Sequence, residues 1–392
     1  MKKYALVARE ITNIFLRYWD WAVRAVLIWM IVGLISPALP RAPLEPQQTV
    51  DTVKPMVCVH TRLIDEVYEW KIQRSLQLVR EIGATSIVEF FPWAYGEPSR
   101  GHYDWASFDR IARHAHNQGL HIIARMGLVP EWARKQAGNP TTLNYLPDES
   151  FRAFSDFVAV FAKRYAGTID QIIIWNEPNL SFEWGYRPVI AADYARLLKT
   201  VYAPAHEANP NVMILAAPLA PTLEPQGSPN GLNDLLYLKA LYEAGAAPYF
   251  DALAMHTYGF TEPPEAIPSP TELNFRRAEL LHQIMLQYDN PKKPVFITES
   301  GWNDNPRWTK AVRPSQRVAY TVNAFQWAEN NWPWLDKLCL WVLRYPANTQ
   351  SYPDNFALIT PDFELTPIYY AIQAYARGWQ QGKDLWLPAP VH

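Results

Sequence analysis

The sequence is short of several features that would place it in common protein classes. Only two of its 392 residues are cysteine, Cys58 and Cys339, which is too few for a disulfide framework or a cysteine metal cluster. The formal net charge is −2 and no long run of Lys or Arg occurs, so we expect no nucleic-acid partner, because phosphate binding needs clustered cations. No group of His, Asp and Glu has the spacing of metal ligands, and we expect no metal.

A long apolar run is also lacking, although the N-terminus carries a short one. Five basic residues come before residue 25, an apolar run follows at 25–35, and a small-x-small site lies at 36–38. This order resembles a secretory signal, and the run is shorter than the ~20 residues of a spanning helix. We interpret residues 1–36 as a signal peptide or a membrane anchor. Either would place the body outside the cytoplasm, with possible membrane association, whereas a buried N-terminal helix is the alternative.

Proline and aromatic residues are abundant. Four prolines between residues 37 and 54 predict a stiff, extended linker. The chain has 17 Trp and 21 Tyr, and flat aromatic rings suit a sugar site because they stack on sugar faces. Most of these rings, taken one by one, are expected to be core residues.

From residue 55 onward, short apolar runs alternate with amphipathic stretches such as 105–119 and 149–167. Eight runs rich in Val, Ile and Leu predict strands that are covered on both faces; they are 56–60, 86–91, 120–126, 171–175, 212–218, 250–256, 294–299 and 338–343. Eight strands alternating with helices predict one (β/α)8 TIM barrel over residues 55–385. An open, doubly wound sheet is the alternative, but its glycine-rich phosphate loop is missing after the first strand.

The barrel interpretation places the two cysteines on the first and last strands, which are neighbours when the barrel closes. A cross-strand disulfide is conceivable. Two buried free thiols are favoured, because cysteine is commonly buried without a partner.

Two glutamates fall at strand ends, where the active sites of such barrels lie. Glu177 follows the fourth strand and Glu299 ends the seventh. A carboxylate beside a buried strand end carries a desolvation cost and needs a reason, either an ion pair or catalysis. The ends of these two strands face each other across the barrel mouth, so a separation near 5 Å is feasible, which is the geometry of retaining glycosidases.

The segment WNEPNL at 175–180, together with Glu299 about 120 residues later, resembles the clan A glycoside hydrolases, most closely family 39 and some family 5 members. The resemblance covers roughly residues 55–380. It implies retaining cleavage of β-glycosidic bonds in an oligo- or polysaccharide, with Glu177 as acid/base and Glu299 as nucleophile. No cofactor is implied, because two carboxylates suffice.

The resemblance also implies roles for other strand-end residues. Asn176 would bind the sugar 2-hydroxyl, Tyr258 would donate to Glu299, and His256 would line the site. Trp341 resembles the tryptophan that floors the sugar subsite. Trp93 and Trp302, and less clearly Trp132, are candidates for the pocket wall. Each of these has an ordinary alternative as a turn, core or loop residue.

One clan feature is missing from the second strand. Many members carry an arginine there that supports the nucleophile, whereas residues 87–91 read IVEFF. Arg62 or Arg125 could substitute from the first or third strand, or either could be a structural ion-pair residue.

Two other functions fit the same residues. A transglycosylase would use both glutamates and resolve the intermediate with a sugar instead of water. A non-catalytic carbohydrate-binding barrel would need neither glutamate, so the intact pair argues against it. The sugar, and the choice between terminal and internal cleavage, are left open by the sequence.

Overall fold

The computed structural model of the chain describes residues 17–31, 44, 46–134, 142–288 and 292–379. The chain divides after Ala42 into an N-terminal unit and a larger unit. In the first, residues 17–31 form helix α1, which carries an ion pair between Asp20 and Arg24. None of the helices in the described ranges is long and apolar enough to cross a membrane. The predicted cleavage site at 36–38 and the first part of the predicted linker lie outside the described residues.

The larger unit is a closed barrel of eight parallel strands in the order β1 to β8, which confirms the predicted (β/α)8 fold. Each predicted apolar run contains one of the strands or overlaps it. The strands are β1 Val57–His60, β2 Ser86–Pro92, β3 His121–Gly127, β4 Gln171–Ile174, β5 Met213–Ala216, β6 Ala252–Tyr258, β7 Val295–Gly301 and β8 Leu335–Leu340.

In the described residues of the larger unit, eight helices of ten or more residues connect and cover the strands, whereas two four-residue helices and the 3-10 turns lie in the loops. The helices are α2 Glu69–Ile82, α3 Trp93–Gly96, α4 Ala106–Asn117, α5 Glu131–Arg134, α6 Phe151–Arg164, α7 Ala191–Ala208, α8 Asp234–Glu243, α9 Arg277–Gln287, α10 Pro314–Asn331 and α11 Pro367–Arg377, with 3-10 turns η1 Leu63–Asp65, η2 Asp148–Ser150, η3 Ala247–Tyr249 and η4 Tyr352–Phe356. The amphipathic patterns at 105–119 and 149–167 correspond to α4 and α6.

Strand side chains alternate between two cores, as a period of two requires. One core fills the barrel and includes Val88, Ile123, Ile173 and Phe296. The other, much larger core lies between the strands and the surrounding helices. Both faces of each strand are therefore buried, which explains why the strands read as continuous apolar runs.

The two cysteines differ from the expectation of free thiols. Cys58 on β1 and Cys339 on β8 occupy the same register position, and a disulfide joins them inside the barrel. Adjacent strands at closure bring the two side chains into the same interior layer, so the pairing needs no movement of the backbone.

The last part of the predicted linker packs on the barrel. The backbone N–H of Gln48 donates to the carbonyl of Asn117 at the end of α4, and that of Val53 donates to the carbonyl of Ala376 in α11. Gly119, with a φ of +70°, allows this approach, because a Cβ there would lie 2.7 Å from the Gln48 carbonyl oxygen. Residues 48–53 are thus part of the folded unit.

Candidate active site

Glu177 lies just past the end of β4, on a backbone that residues with side chains rarely adopt. Trp175 has a φ of +78° and Glu177 a φ of +39°, although neither is glycine. Neighbouring strand ends hold this turn, because the Trp175 N–H donates to the Met126 carbonyl and the Glu177 N–H donates to that of Pro218. The turn carries the Glu177 side chain to the barrel mouth, where it lines a cavity.

Glu299 lies within β7 and is brought opposite His256 of β6 by an irregularity in strand pairing. Met255 pairs with Ile297, but the next residue, His256, pairs with Glu299. A bulge of this kind re-aims side chains next to active sites. Both side chains are almost fully buried.

The two glutamates converge with His256 at the barrel mouth. One carboxylate oxygen of Glu177, one of Glu299 and a ring nitrogen of His256 all lie within 4.8 Å of one another. The His256 Nδ1 is 2.7 Å from Glu177 Oε1 and 3.6 Å from Glu299 Oε2. Two carboxylates far apart in the chain therefore face one small volume.

Arg125 is the arginine that supports Glu299. Its guanidinium, at the end of β3, donates to Glu299 Oε1 at 3.2 Å and to Asn176 Oδ1 at 3.0 Å. Arg62 instead pairs with Asp65, with the Nη2 and Oδ2 atoms 2.7 Å apart. The other carboxylate oxygen, Glu299 Oε2, accepts a hydrogen bond from the Tyr258 hydroxyl at 2.9 Å.

Burial raises the pKa of Glu177 to about 7, and the charge of Arg125 offsets only part of this shift. Burial also raises the pKa of Glu299, but His256, Arg125 and the hydroxyl of Tyr258 act in the opposite direction. The direct donors of Glu299 stabilise its charged form. Glu177 has no cation in direct contact among the described residues, so of the pair it is the better holder of a proton.

His256 is buried and neutral near pH 7. Burial lowers its pKa to about 4, since Glu299 offsets the desolvation only in part. The Nδ1 to Glu177 hydrogen bond can run in either direction, depending on the ring tautomer and on the proton of Glu177. Such a bond orients Glu177 in either protonation state.

A cavity of about 300 Å³ opens over these groups, at the small end of ligand pockets. Phe90 and Trp341 are aromatic members of its lining, together with Arg125, Asn176, Glu177 and Glu299. The Trp341 indole N–H donates to the Tyr345 hydroxyl at 2.9 Å, which fixes the ring. Trp341 thus lies where the sequence predicted a subsite residue.

Two other predicted tryptophans lie in the core and not at the pocket. Trp93 is 0% exposed and donates its indole N–H to Glu97, with its ring against Trp132 and Phe154. Trp302 is 2% exposed; its ring fills the space beside Gly259, where a Cβ would come within 1.8 Å of it. The prediction that Trp93 and Trp302 form the pocket wall is therefore wrong, because both rings are packed in the core beneath the loops that carry them.

Trp132 also packs under a loop. Its indole N–H donates to the Glu97 carbonyl at 2.9 Å, and its ring meets that of Trp93 edge-on.

Sequence reasoning missed two residues of the site. His60, at the end of β1, places Nε2 3.7 Å from Glu299 Oε1, and its Nδ1 donates to the Thr61 carbonyl. Its position at a strand end was a usable signal. Glu183 lines the same cavity from a turn after β4, and burial, with the nearby Glu177 second, raises its pKa to about 7. No periodic pattern marks that turn in the sequence.

Glu177, His256 and Glu299 together have the ligand atoms and spacing of a metal site. The guanidinium of Arg125, 3.2 Å from Glu299, would repel a cation at this position.

A closed (β/α)8 barrel with one glutamate after β4 and another in β7 is an arrangement similar to that of the barrel glycoside hydrolases. Two family models match the chain: beta-galactosidase over residues 64–146 and glycosyl hydrolase catalytic core over residues 147–371. The second match covers more than half of the 392 residues, so the chain belongs to the glycosyl hydrolase catalytic core family.

Solved structures with the same fold include a family 39 glycoside hydrolase from Bacteroides cellulosilyticus WH2, with 21% identity and a TM-score of 0.66 over 85% of this chain. This chain spans 65% of that structure's length. GH5_18 from Streptomyces cattleya, in complex with GlcNAc, has 15% identity and a TM-score of 0.62, covering 84% of this chain and 82% of that one.

A monomeric beta-xylosidase from Caulobacter crescentus CB15 has 16% identity and a TM-score of 0.58, covering 83% of this chain and 69% of its own. At these identities the likeness concerns the fold. A search of curated proteins finds no match.

Proposed function

We propose that the chain is a retaining β-glycosidase, with Glu299 as nucleophile and Glu177 as acid/base, acting on an oligo- or polysaccharide. The observation that carries the proposal is the approach of the two carboxylates to within 4.8 Å. Retaining enzymes hold these groups ~5–5.5 Å apart, whereas inverting enzymes need ~6.5–9.5 Å for an intervening water.

The reaction proceeds in two balanced steps. Glu299 attacks the anomeric carbon as the glycosidic C–O bond breaks, and protonated Glu177 transfers its proton to the departing oxygen, which leaves as an alcohol. Water then attacks the glycosyl–Glu299 ester, and ionised Glu177 takes the proton of that water. Glu299 is released as a carboxylate, and two displacements retain the anomeric configuration.

The surrounding residues fit these steps. Arg125 and Tyr258 keep Glu299 charged and aimed, since each donates to a different oxygen. Arg125 donates to the Asn176 carbonyl oxygen and the Asn176 amide group hydrogen-bonds Glu183, so one amide N–H is left to meet a sugar hydroxyl. His60 lies behind Glu299, with its buried Nε2 3.7 Å from Glu299 Oε1.

The similar proteins support a β-linked substrate but differ in the sugar they name. The similar structure from Caulobacter crescentus CB15 is a beta-xylosidase, and the family that matches residues 64–146 is beta-galactosidase. Xylosides, glucosides, galactosides and mannosides are therefore the aryl substrates to screen first.

The roles of the two glutamates are tested with azide, after the screen gives an aryl β-glycoside that the protein cleaves. Glu177→Ala should lose ~10²–10⁴ in kcat/KM on a poor leaving group but little on dinitrophenol, and azide should yield the β-glycosyl azide. Glu299→Ala should be inactive, and azide should yield the α-azide. Glu207→Ala, on an exposed residue of α7, is the matched control.

Equal losses of Glu177→Ala on both leaving groups, or exchanged azide products, would contradict the assignment. Chromatography of products at high acceptor sugar concentration tests the transglycosylase alternative in the same experiment, because a longer saccharide appears only if sugar competes with water.

We also propose that the barrel unit lies outside the cytoplasm. The basic N-terminal stretch with its apolar run supports this location, as does the Cys58–Cys339 disulfide, since disulfides persist in oxidising compartments. A C-terminal fusion to alkaline phosphatase, which needs an oxidising compartment, should be active in a bacterial host. An inactive phosphatase fusion, with an active cytoplasmic β-galactosidase fusion, would refute the proposal.

A further inference from the structure

A stacked pair of aromatic rings lies on loops at the carboxyl ends of the strands, outside the catalytic cavity. Trp308 follows β7 and Tyr352 begins η4 after β8. Their ring centroids are 4.8 Å apart and their planes differ by 16°. Tyr352 is 46% exposed, so its ring is not merely a core residue. We call Trp308 and Tyr352 the aromatic platform.

The aromatic platform is joined to the catalytic centre by one buried ring. Phe356 lies 6.1 Å from Trp308 and 5.4 Å from Tyr258 between ring centroids. Tyr258 in turn donates to the nucleophile Glu299. A chain of ring contacts therefore connects the platform with the residue that donates to Glu299.

The two loops that carry the platform are fixed to each other. The buried Asn303 side chain donates to the Tyr352 carbonyl at 2.7 Å, and Asn305 donates to the Asn355 side chain at 3.1 Å. Asp354 accepts from the backbone of residues 349 and 350. A ligand would thus meet rings already in place, which reduces the entropy lost on binding.

The platform borders a cavity of about 510 Å³ with a polar rim. Exposed Arg307, Gln350 and Ser351 supply donors and acceptors around the rings. A flat apolar face surrounded by hydrogen-bonding groups matches a sugar, which has apolar ring faces and a circumference of hydroxyls. A protein partner would be expected to need a larger apolar core.

We propose that the aromatic platform is a distal sugar-binding subsite, which holds a unit of an extended β-linked oligosaccharide away from the bond that is cut. This inference rests on the proposed function. It makes the preferred substrate a chain of several sugars, because a single terminal sugar would fill only the catalytic cavity.

The test compares Trp308→Ala, and separately Tyr352→Ala, with the unaltered full chain on two substrates. On the aryl monoglycoside, both variants should keep kcat/KM within twofold, which also shows that they fold. On the hexasaccharide of the same sugar, Trp308→Ala should lose about tenfold in kcat/KM, equivalent to about 1.4 kcal/mol. The loss should appear mainly in KM.

Tyr288→Ala is the matched control, because it removes one ring of another stacked pair, with Tyr242, just past the end of α9. Binding is measured independently by calorimetry with xylohexaose, cellohexaose and mannohexaose, using Glu177→Gln with and without Trp308→Ala. One of these should bind about tenfold more weakly without Trp308.

Failure of the two ideas is distinguishable. If the unaltered chain cleaves no aryl glycoside, the proposed function fails, while calorimetry still tests the subsite. If the chain is active but Trp308→Ala and Tyr352→Ala cleave and bind the hexasaccharide within twofold of the unaltered chain, the subsite is refuted. Equal losses on the monoglycoside and the hexasaccharide would also refute it.

Discussion

Replacing Arg125 by Met should make the activity depend on pH in a new way. Arg125 Nη1 lies 3.2 Å from Glu299 Oε1, and both side chains are mostly buried. At an effective dielectric constant of 20, the attraction is about 5 kcal/mol. If about a third of this attraction remains after relaxation and water entry, removing Arg125 destabilises ionised Glu299 by about 1.7 kcal/mol. The ratio of ionised to protonated Glu299 then falls more than tenfold at a given pH.

The sign of the effect follows from the nucleophile's need for a charge. Removing a positive neighbour raises the pKa of Glu299, so the acidic limb of kcat/KM should move to higher pH. Arg125→Met should therefore lose more than tenfold at the acidic end, and less as the pH rises. The measurement is kcat/KM for one aryl glycoside across pH, with folding checked by circular dichroism.

Arg62→Met is the control, because Arg62 is the other arginine that the sequence offered for this role and its partner is Asp65. It should leave the acidic limb in place. Arg125→Lys keeps the charge but not the two-pronged contact with Glu299 and Asn176. It should therefore return the acidic limb close to its original pH while kcat/KM stays below that of the unaltered chain. A uniform loss in Arg125→Met, with an unmoved acidic limb, would refute the electrostatic argument.

Three more expectations follow from the structure. Because Glu177 must begin protonated and its pKa is raised to about 7, kcat/KM should fall as the pH rises through about 7, and Glu177→Gln should remove this basic limb; an unchanged limb would contradict this. Cys58→Ser should lower stability by about 2–4 kcal/mol in calorimetry, whereas alkylation of two thiols after denaturation without reductant would contradict the disulfide. Gly259→Ala should cost about 1–3 kcal/mol in thermal unfolding, because its Cβ would overlap the Trp302 ring, and an unchanged melting temperature would disprove that packing.

The barrel was predictable because its strands are buried on both faces and therefore form unbroken apolar runs. The prediction is weakest at β8, where the apolar run was placed at 338–343 but the strand is Leu335–Leu340. Asp336 and Lys337 interrupt the apolar pattern at its start, and the backbone leaves the sheet at Trp341. Polar residues at the start of a strand carry no periodic signal from which the start could be predicted.

The convergence of Glu177 and Glu299 was predictable for a different reason, since parallel strands deliver all their carboxyl ends to one face. That rule places Glu177 and Glu299 at one end of the barrel, whereas the expectations for His256 and Tyr258 came from the family resemblance. The rule does not place the tryptophan rings, because a ring in a loop after a strand can turn over the cavity, as Trp341 does, or under the loop, as Trp93 and Trp302 do. Only tertiary packing decides between these outcomes.

The cavity holds three glutamates and one arginine, and this imbalance decides where protons reside. Arg125 contacts Glu299 directly, so a negative charge is best stabilised on Glu299, whereas Glu177 and Glu183 are buried without that contact. This difference depends on the turn at Trp175 and Glu177, because its left-handed backbone brings the Glu177 carboxylate to His256. With an ordinary extended backbone, the side chains of Trp175, Asn176 and Glu177 would point alternately to opposite faces of the strand. The difference in surroundings between two chemically identical residues therefore comes from backbone geometry after β4, which is the part of the site that residue types alone do not reveal.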